Sequence, residues 1–330
     1  MPDRRQVLTY VLGLLGAAAA VARRAAAQDA DAKGPLRLIV GFPAGGGTDV
    51  IARILAERLR VPFASGVIVE NKPGAAARAS VDFVKNAGTD GRTLLFTPDF
   101  PITVYPSSFR SLSYDPLRDL VPVATVAKSM LTYSVGPAVP ASVMSLKDFV
   151  QWAKANAASA SYATTAAGGT PHFVGVMLAN AAGVAMTPVH YRGGAPALQD
   201  LLGGHVPAGV NPISETLAFA HSGSLRILAV TGAHRSPFLP EVPTMREQGF
   251  DVVVEGWLGT FAPARTPEAI VRALGDAIGE AVRSSDMAAS LAKFGNVPAF
   301  QPPEDFAATV RADIARWAPV VKASGFVAVD

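Results

Sequence analysis

Apolar and polar positions along the chain fall into two rhythms that alternate. Leu36-Arg37-Leu38-Ile39-Val40 is a short apolar run, and the triplet Gly45-Gly46-Gly47 that follows ends it. Ile51, Leu55 and Leu59 then recur every four residues, the spacing of one buried helix face, with Thr48 placed to cap that helix. Further runs at 67–70, 93–97 and 121–127 predict strands with helix-compatible segments between them. Strands that alternate with helices predict a mainly parallel sheet covered by helices, which makes one α/β lobe.

A second series repeats the plan. Ser145 caps a helix carrying Leu146, Phe149, Val150 and Ala153, a strand follows at 161–163, and Thr170-Pro171 opens a helix with Val174, Met177, Leu178 and Ala181 on one face. Thr170 is expected as the cap and Pro171 as the first helical residue, where its missing N–H has no intrahelical partner to lose. Strands at 184–190, 206–211 and 225–230 alternate with helices from Ala195 and Ile213, completing a second α/β lobe. From Pro267 onward two or three helices are expected, the last with Phe306, Val310, Ile314 and Trp317 at the spacing of a core-facing stripe.

Composition narrows the class. The chain has 330 residues, of which 50% are hydrophobic and 17% charged, so it can bury more than one core and is not disordered. The net charge of +3 lies entirely in the first 27 residues, where Arg4, Arg5, Arg23 and Arg24 face only Asp3; the remainder carries 25 basic and 25 acidic side chains. A neutral chain without a Lys/Arg run excludes a nucleic-acid footprint. The basic start, the apolar stretch 7–22 and Ala25-Ala26-Ala27 read as an export signal over 1–27. Arg4-Arg5 fit a twin-arginine signal, and an ordinary secretory signal with two chance arginines is the alternative. The absence of Cys excludes disulfides, thiolate metal sites and a lipid-bearing cysteine. A mature protein free in the periplasm is expected.

Two loops can carry chemistry. In Phe42-Pro43-Ala44-Gly45-Gly46-Gly47-Thr48-Asp49, glycines let backbone approach a ligand, and unpaired N–H groups at a helix start favour an anion. Neither a Walker loop nor G-x-G-x-x-G is completed, and a plain strand-to-helix turn is equally compatible. Gly168-Gly169-Thr170-Pro171-His172 occupies the same place in the second lobe, where His172 either donates to a carboxylate or caps its helix. Two anion-holding helix starts predict one ligand in the crevice between lobes. No G-x-S-x-G elbow is present, and the five histidines are scattered without metal-binding spacing, so neither a hydrolase nor a metal site is supported.

With these loops in view, the sequence resembles the periplasmic substrate-binding proteins of tripartite tricarboxylate transporters, the Bug family. The likeness runs from Leu36 to about Phe326 through Val69-Glu70-Asn71-Lys72-Pro73-Gly74, Asp90-Gly91-Arg92-Thr93, Ser113-Tyr114-Asp115-Pro116, Tyr191-Arg192-Gly193-Gly194-Ala195-Pro196 and Asp200-Leu201-Leu202-Gly203-Gly204. It continues through Leu228-Ala229-Val230-Thr231, Val242-Pro243-Thr244 and Phe261-Ala262-Pro263.

The resemblance implies a two-lobed type II periplasmic-binding fold. Lobe 1 would comprise 34–125 plus 253–330 and lobe 2 126–252, joined by crossover strands near 121–127 and 252–261. It implies a monomeric solute-binding protein without cofactor or enzymatic activity, which hands a small carboxylate to membrane permease subunits; a periplasmic sensor passing its bound state to a signalling partner is the alternative. Carried over by position, Phe42, Ala44, Gly45, Gly47, Thr48 and Asp49 would face the cleft from lobe 1, with Gly46 in the same loop. Gly168, Gly169, Thr170 and His172 would face it from lobe 2, and Tyr191, Asn211 and Pro212 would line the rest. Three departures stand out: Ala44 replaces a second proline, Asn211 replaces a frequent Asp and removes a partner for a ligand amino group, and Pro98-Asp99-Phe100 replaces a small-residue loop. Phe42, Phe100, Phe173, Tyr191 and Trp257 are candidates for an apolar wall or for core.

Overall fold

The computed structural model describes residues 34–59 and 66–327. The expected export signal over 1–27 lies outside these residues. Strands β1 (Leu36–Val40), β2 (Val67–Asn71) and β3 (Thr93–Pro98) are parallel, with β1 in the middle, and helices α1 (Gly47–Arg58) and α2 (Arg78–Lys85) connect them. Short helices α3 (Phe100–Thr103), α4 (Tyr105–Ser108) and α5 (Pro116–Asp119) lead to β4 (Leu120–Val135). Beyond it come α6 (Leu146–Ala155), β5 (Ser161–Thr164), α7 (Thr170–Ala182), β6 (Thr187–His190), α8 (Gly194–Leu202), β7 (Ala208–Pro212), α9 (Ile213–His221) and β8 (Arg226–Val230). The chain then returns through β9 (Glu255–Pro263), α10 (Glu268–Arg283), α11 (Ser285–Ala292), β10 (Val297–Pro298) and α12 (Pro303–Ser324).

The strand order β2-β1-β3-β9-β4-β7-β5-β6 joins two α/β halves through β4 and β9, with β8 and β10 also on β4. The part of β4 from Leu120 to Met130 pairs antiparallel with β9, and Leu131 to Val135 pairs with β7 and β8. The first crossover strand therefore does not end at 127, as the apolar run suggested. Lys128 is exposed and Ser129 and Met130 are half-buried where β4 passes from one core to the other, so its apolar pattern breaks while its backbone pairing continues.

Local chemistry explains most boundaries. Ser145 and Asp148 form a reciprocal capping box at the start of α6. Neither of the other two expected caps is used. At α1 the cap is Gly46 and at α7 it is Gly169, both without a side-chain bond, so Thr48 and Thr170 fall inside the first turn.

One core packs Leu36, Leu38 and Val40 of β1 against Ile51 and Leu55 of α1 and Val271, Leu274 and Ile278 of α10. The other packs Tyr133, Phe149, Tyr162 and Phe173. The C-terminal helix serves both: Phe306 and Val310 sit with Trp257 and Phe261 of the first half, whereas Trp317 and Val321 join Phe173 in the second. Twenty-two residues span about 33 Å, enough to reach from one core to the next. Phe306 is fully buried, with ring centroids 4.8 Å from Trp257 and 5.0 Å from Phe261. Phe306→Ala is expected to lower stability by about 3–5 kcal/mol in urea unfolding, because this tight site cannot collapse around the cavity.

Candidate functional site: a cleft between two helix starts

The loop after β1 is held by a carboxylate behind it. Asp49, 2% exposed, accepts from the Gly45 N–H at 2.9 Å, Arg53 Nε at 2.9 Å and Asn71 Nδ2 at 2.8 Å. Asn71 also donates to the Phe42 carbonyl at 3.0 Å. Burial would raise the Asp49 pKa, but Arg53, the Gly45 amide and Asn71 together hold it below the ordinary value. Gly45 adopts φ +83°, a left-handed turn that glycine takes without strain.

The second helix start is built differently. Gly168 has φ +69° and donates its N–H to His172 Nδ1 at 3.2 Å. His172 is 2% exposed, and its ring packs on Phe173, His190 and Phe326. Burial and the neighbouring His190 lower its pKa to about 4, so it is neutral at pH 7.

Both starts open on one narrow, partly open cavity of about 50 Å3, which holds a handful of water-sized groups at roughly 10–15 Å3 each. Phe42, Gly46, Gly47 and Thr48 wall it from α1, and Thr165, Thr170 and Pro171 from α7. Asp99, Phe100, Trp257 and Leu258 close one side, and Gly194, Pro212, Ser214 and Glu215 another. None of its walls is Lys, Arg or His. Two acids bridge the halves instead. Glu215 at the start of α9 accepts from the Gly47 N–H at 3.3 Å and from Asn211 Nδ2 at 3.1 Å. Asp99, after β3, accepts from Thr170 Oγ1 at 3.3 Å. The amides of Thr48 and Thr170 have no hydrogen-bond partner among the described residues, as expected in the first turn of a helix.

Wider clefts flank the cavity. One of about 640 Å3 runs past Phe42, Pro43, Ala75, Ala76 and Tyr191, and one of about 470 Å3 runs past Gly45, Ala195 and Glu215.

Residues 51–326 match the family described as the tripartite tricarboxylate transporter family receptor. The chain belongs to this receptor family. Protein BugT of Bordetella pertussis is 33% identical over 320 residues, covering 96% of this chain and 97% of its own. The structure of the periplasmic binding protein BugD matches with a TM-score of 0.84 and 31% identity, over 89% of this chain and 98% of that one. An R. palustris protein solved with adipate matches with a TM-score of 0.86 and 30% identity over the same shares. MatC from Rhodopseudomonas palustris, with bound malate, matches with a TM-score of 0.80 and 27% identity, over 87% of this chain and 98% of its own. The receptor family and these neighbours are solute-binding proteins, not enzymes, with the two-lobed α/β fold described above.

Against this receptor frame, the residues singled out from the sequence fall in several places. Phe42, Gly46, Gly47, Thr48, Thr170 and Pro212 stand on the cavity wall. Gly45 lines the outer cleft, and Ala44 is exposed. Asp49, Gly168, Gly169 and His172 lie behind the two helix starts. Asn211 is fully buried and spends its amide on Glu215, while Tyr191 donates to Asp200 at 2.6 Å. Of the five candidate wall aromatics, Phe42, Phe100 and Trp257 reach the cavity and Phe173 and Tyr191 do not. The wall residues missed include Asp99, Ser129, Thr165, Ser214, Glu215 and Gly256, which share no motif and meet only by folding. One trace was present: Asp99 stood in the loop that departs from the family pattern.

Burial is the main cause that pushes Asp99 up to about 7 from 3.8, with Asp313 adding to it. Loss of water likewise raises the half-buried Glu215, against the bonds from Asn211 and Gly47. An acid protonated more readily when folded stabilises the fold below its unfolded pKa, and that stability is lost as pH rises through the folded value. Chemical unfolding should therefore show stability falling between about pH 4 and pH 7 by on the order of a few kcal/mol, and Asp99→Asn should flatten that slope, leaving the part that Glu215 contributes.

Proposed function

We propose that this receptor captures one small carboxylate between two lobes, 34–125 plus 253–330 and 126–252, and hands it to the membrane subunits of a tripartite tricarboxylate-type transporter. It acts as a monomer in the periplasm after loss of its export signal, and needs no cofactor. The carrying observation is the pair of helix starts on one cavity, with the Thr48 and Thr170 amides unpartnered. Backbone N–H groups at the positive ends of α1 and α7 can hold a carboxylate without an arginine. The adipate and malate bound to two neighbours support a carboxylate as cargo. An acid touching both helix starts bridges the halves and favours the closed form, which the membrane partner would read. The narrow cavity and its aromatic side at Phe42, Phe100 and Trp257 suit a short ligand with an apolar edge.

Charge-assisted hydrogen bonds contribute about 1.5–3 kcal/mol each, so three or four offset the ordering cost and leave roughly micromolar affinity, about −8 kcal/mol. A Cβ at Gly46 lies 3.4 Å from the Pro43 carbonyl and 3.9 Å from Glu215, so a larger side chain there fits the fold but fills the site. Calorimetry with a panel of mono-, di- and tricarboxylates should find about micromolar binding to the parent protein and a loss of about a hundredfold or more in Gly46→Val, with little change in melting temperature. Equal affinity in the two proteins would rule out the helix starts as the carboxylate site.

A further inference from the structure

The charge balance of the cavity does not match a ligand that is only negative. Its walls include two carboxyl groups and no cationic side chain. Each oxygen of Glu215 accepts from an amide of the fold itself, one from the Gly47 N–H and the other from Asn211 Nδ2, so a ligand would have to share both with the bonds that join the halves. Asp99 is 5% exposed and has only the Thr170 hydroxyl, at 3.3 Å, and the Phe100 backbone N–H as partners. The nearest charges are Asp313 and Arg316, which pair with each other at 3.0 Å. Asp313 also accepts from Trp257 Nε1 at 2.9 Å, so Arg316 is engaged by a carboxylate that is not part of the cavity wall. A carboxylate offers about four acceptor positions, so Asp99 has capacity left and faces the space where the ligand would sit. The backbone of Gly256 closes over it, since a Cβ there would lie 3.2 Å from the Asp99 carboxyl.

We propose that Asp99 is a specificity-determining residue, which accepts hydrogen bonds from an ammonium group carried by the ligand beside its carboxylate. The inference rests on the carboxylate-capture reading above. Thr170 contributes both the free amide and the hydroxyl bonded to Asp99, which places the ammonium on a carbon next to the carboxylate or one further along. The ligand class is then a small amino carboxylate in its zwitterionic form. A second carboxylate in that position would meet Asp99 at close range with no cation to separate them, which costs binding unless one of the two takes up a proton. Asn211, whose place in the family often holds an acid, does not take this role because it is fully buried and is not part of the cavity wall.

Matched ligands read this directly: alanine, lactate and propionate, and aspartate, malate and succinate, which carry an ammonium, a hydroxyl or hydrogen at the same carbon. Calorimetry on the parent protein and Asp99→Asn should find the ammonium member tightest in the parent. Asp99→Asn should weaken that member about tenfold or more, at least about fivefold more than it changes the unsubstituted acid, and an unchanged circular-dichroism spectrum shows the variant to be folded. In buffers of different ionisation heat near pH 7, the parent should release protons on binding the ammonium ligand, because the new cation lowers the Asp99 pKa, and Asp99→Asn should not. If the hydroxyl or unsubstituted acids bind as tightly as the ammonium member, or Asp99→Asn leaves the ammonium member unaffected, the assignment of Asp99 is overturned while carboxylate capture stands. If no acid in the panel binds the parent protein, both readings fall together.

Discussion

The structure is organised around unsatisfied backbone N–H groups at the starts of α1 and α7. A helix cannot pair its own first amides, and here two such ends open on one narrow, mostly apolar space. Several features keep them there: Asp49 and Asn71 tie the loop before α1, His172 ties the loop before α7, and the paired strands β4 and β9 set the two halves face to face. These contacts lie behind the cavity and leave its front to the amides.

The electrostatics of the cleft are set by carboxyl groups rather than by arginines. Asp49, paired with Arg53, stays ionised and serves as scaffold. Asp99 and Glu215 lack such a partner, and burial makes their charged forms costly. Each stands against the helix start of the opposite half, Glu215 at Gly47 and Asp99 at Thr170, so the protein bridges its own cleft with the functional group its proposed ligand carries. Gly194 is needed for this, because a Cβ there would overlap the Glu215 carboxyl.

The C-terminal helix adds a second connection that the crossover strands alone would not supply. Its first turns are buried beside Trp257 and Phe261, its later ones beside Phe173, and Phe326 beyond its end packs against His172. The wall of the cavity at Trp257 and the support of the α7 start at His172 are thus both in contact with one continuous C-terminal segment, the first through Phe306 of the helix and the second through Phe326 just beyond it. A ligand that shifts the two halves must work against this packing as well as against the strands.

The amino-acid sequence by itself determined the local units: the strand–glycine loop–helix repeat, the Ser145 cap, the core stripe from Phe306 to Trp317 and the family. Each depends on neighbours a few residues apart, where spacing and backbone preference decide the outcome. The two glycine loops were legible as helix starts for the same reason, although not which residue capped them: Gly46, two residues before Thr48, and Gly169, just before Thr170, adopt the extended cap geometry, which frees Thr170 to reach Asp99. Tertiary structure alone decided the rest. It carried β4 on through Lys128 and Ser129, because pairing with β9, β7 and β8 outweighs a broken apolar pattern. It turned His172 and Asn211 away from the cavity and brought Asp99, Glu215, Trp257 and Gly256 to it. Those four come from three distant parts of the chain, the end of β3, the start of α9 and β9, and the charge and exposure of the two acids in the cleft depend on burial, a property of the folded chain that no short stretch of sequence contains.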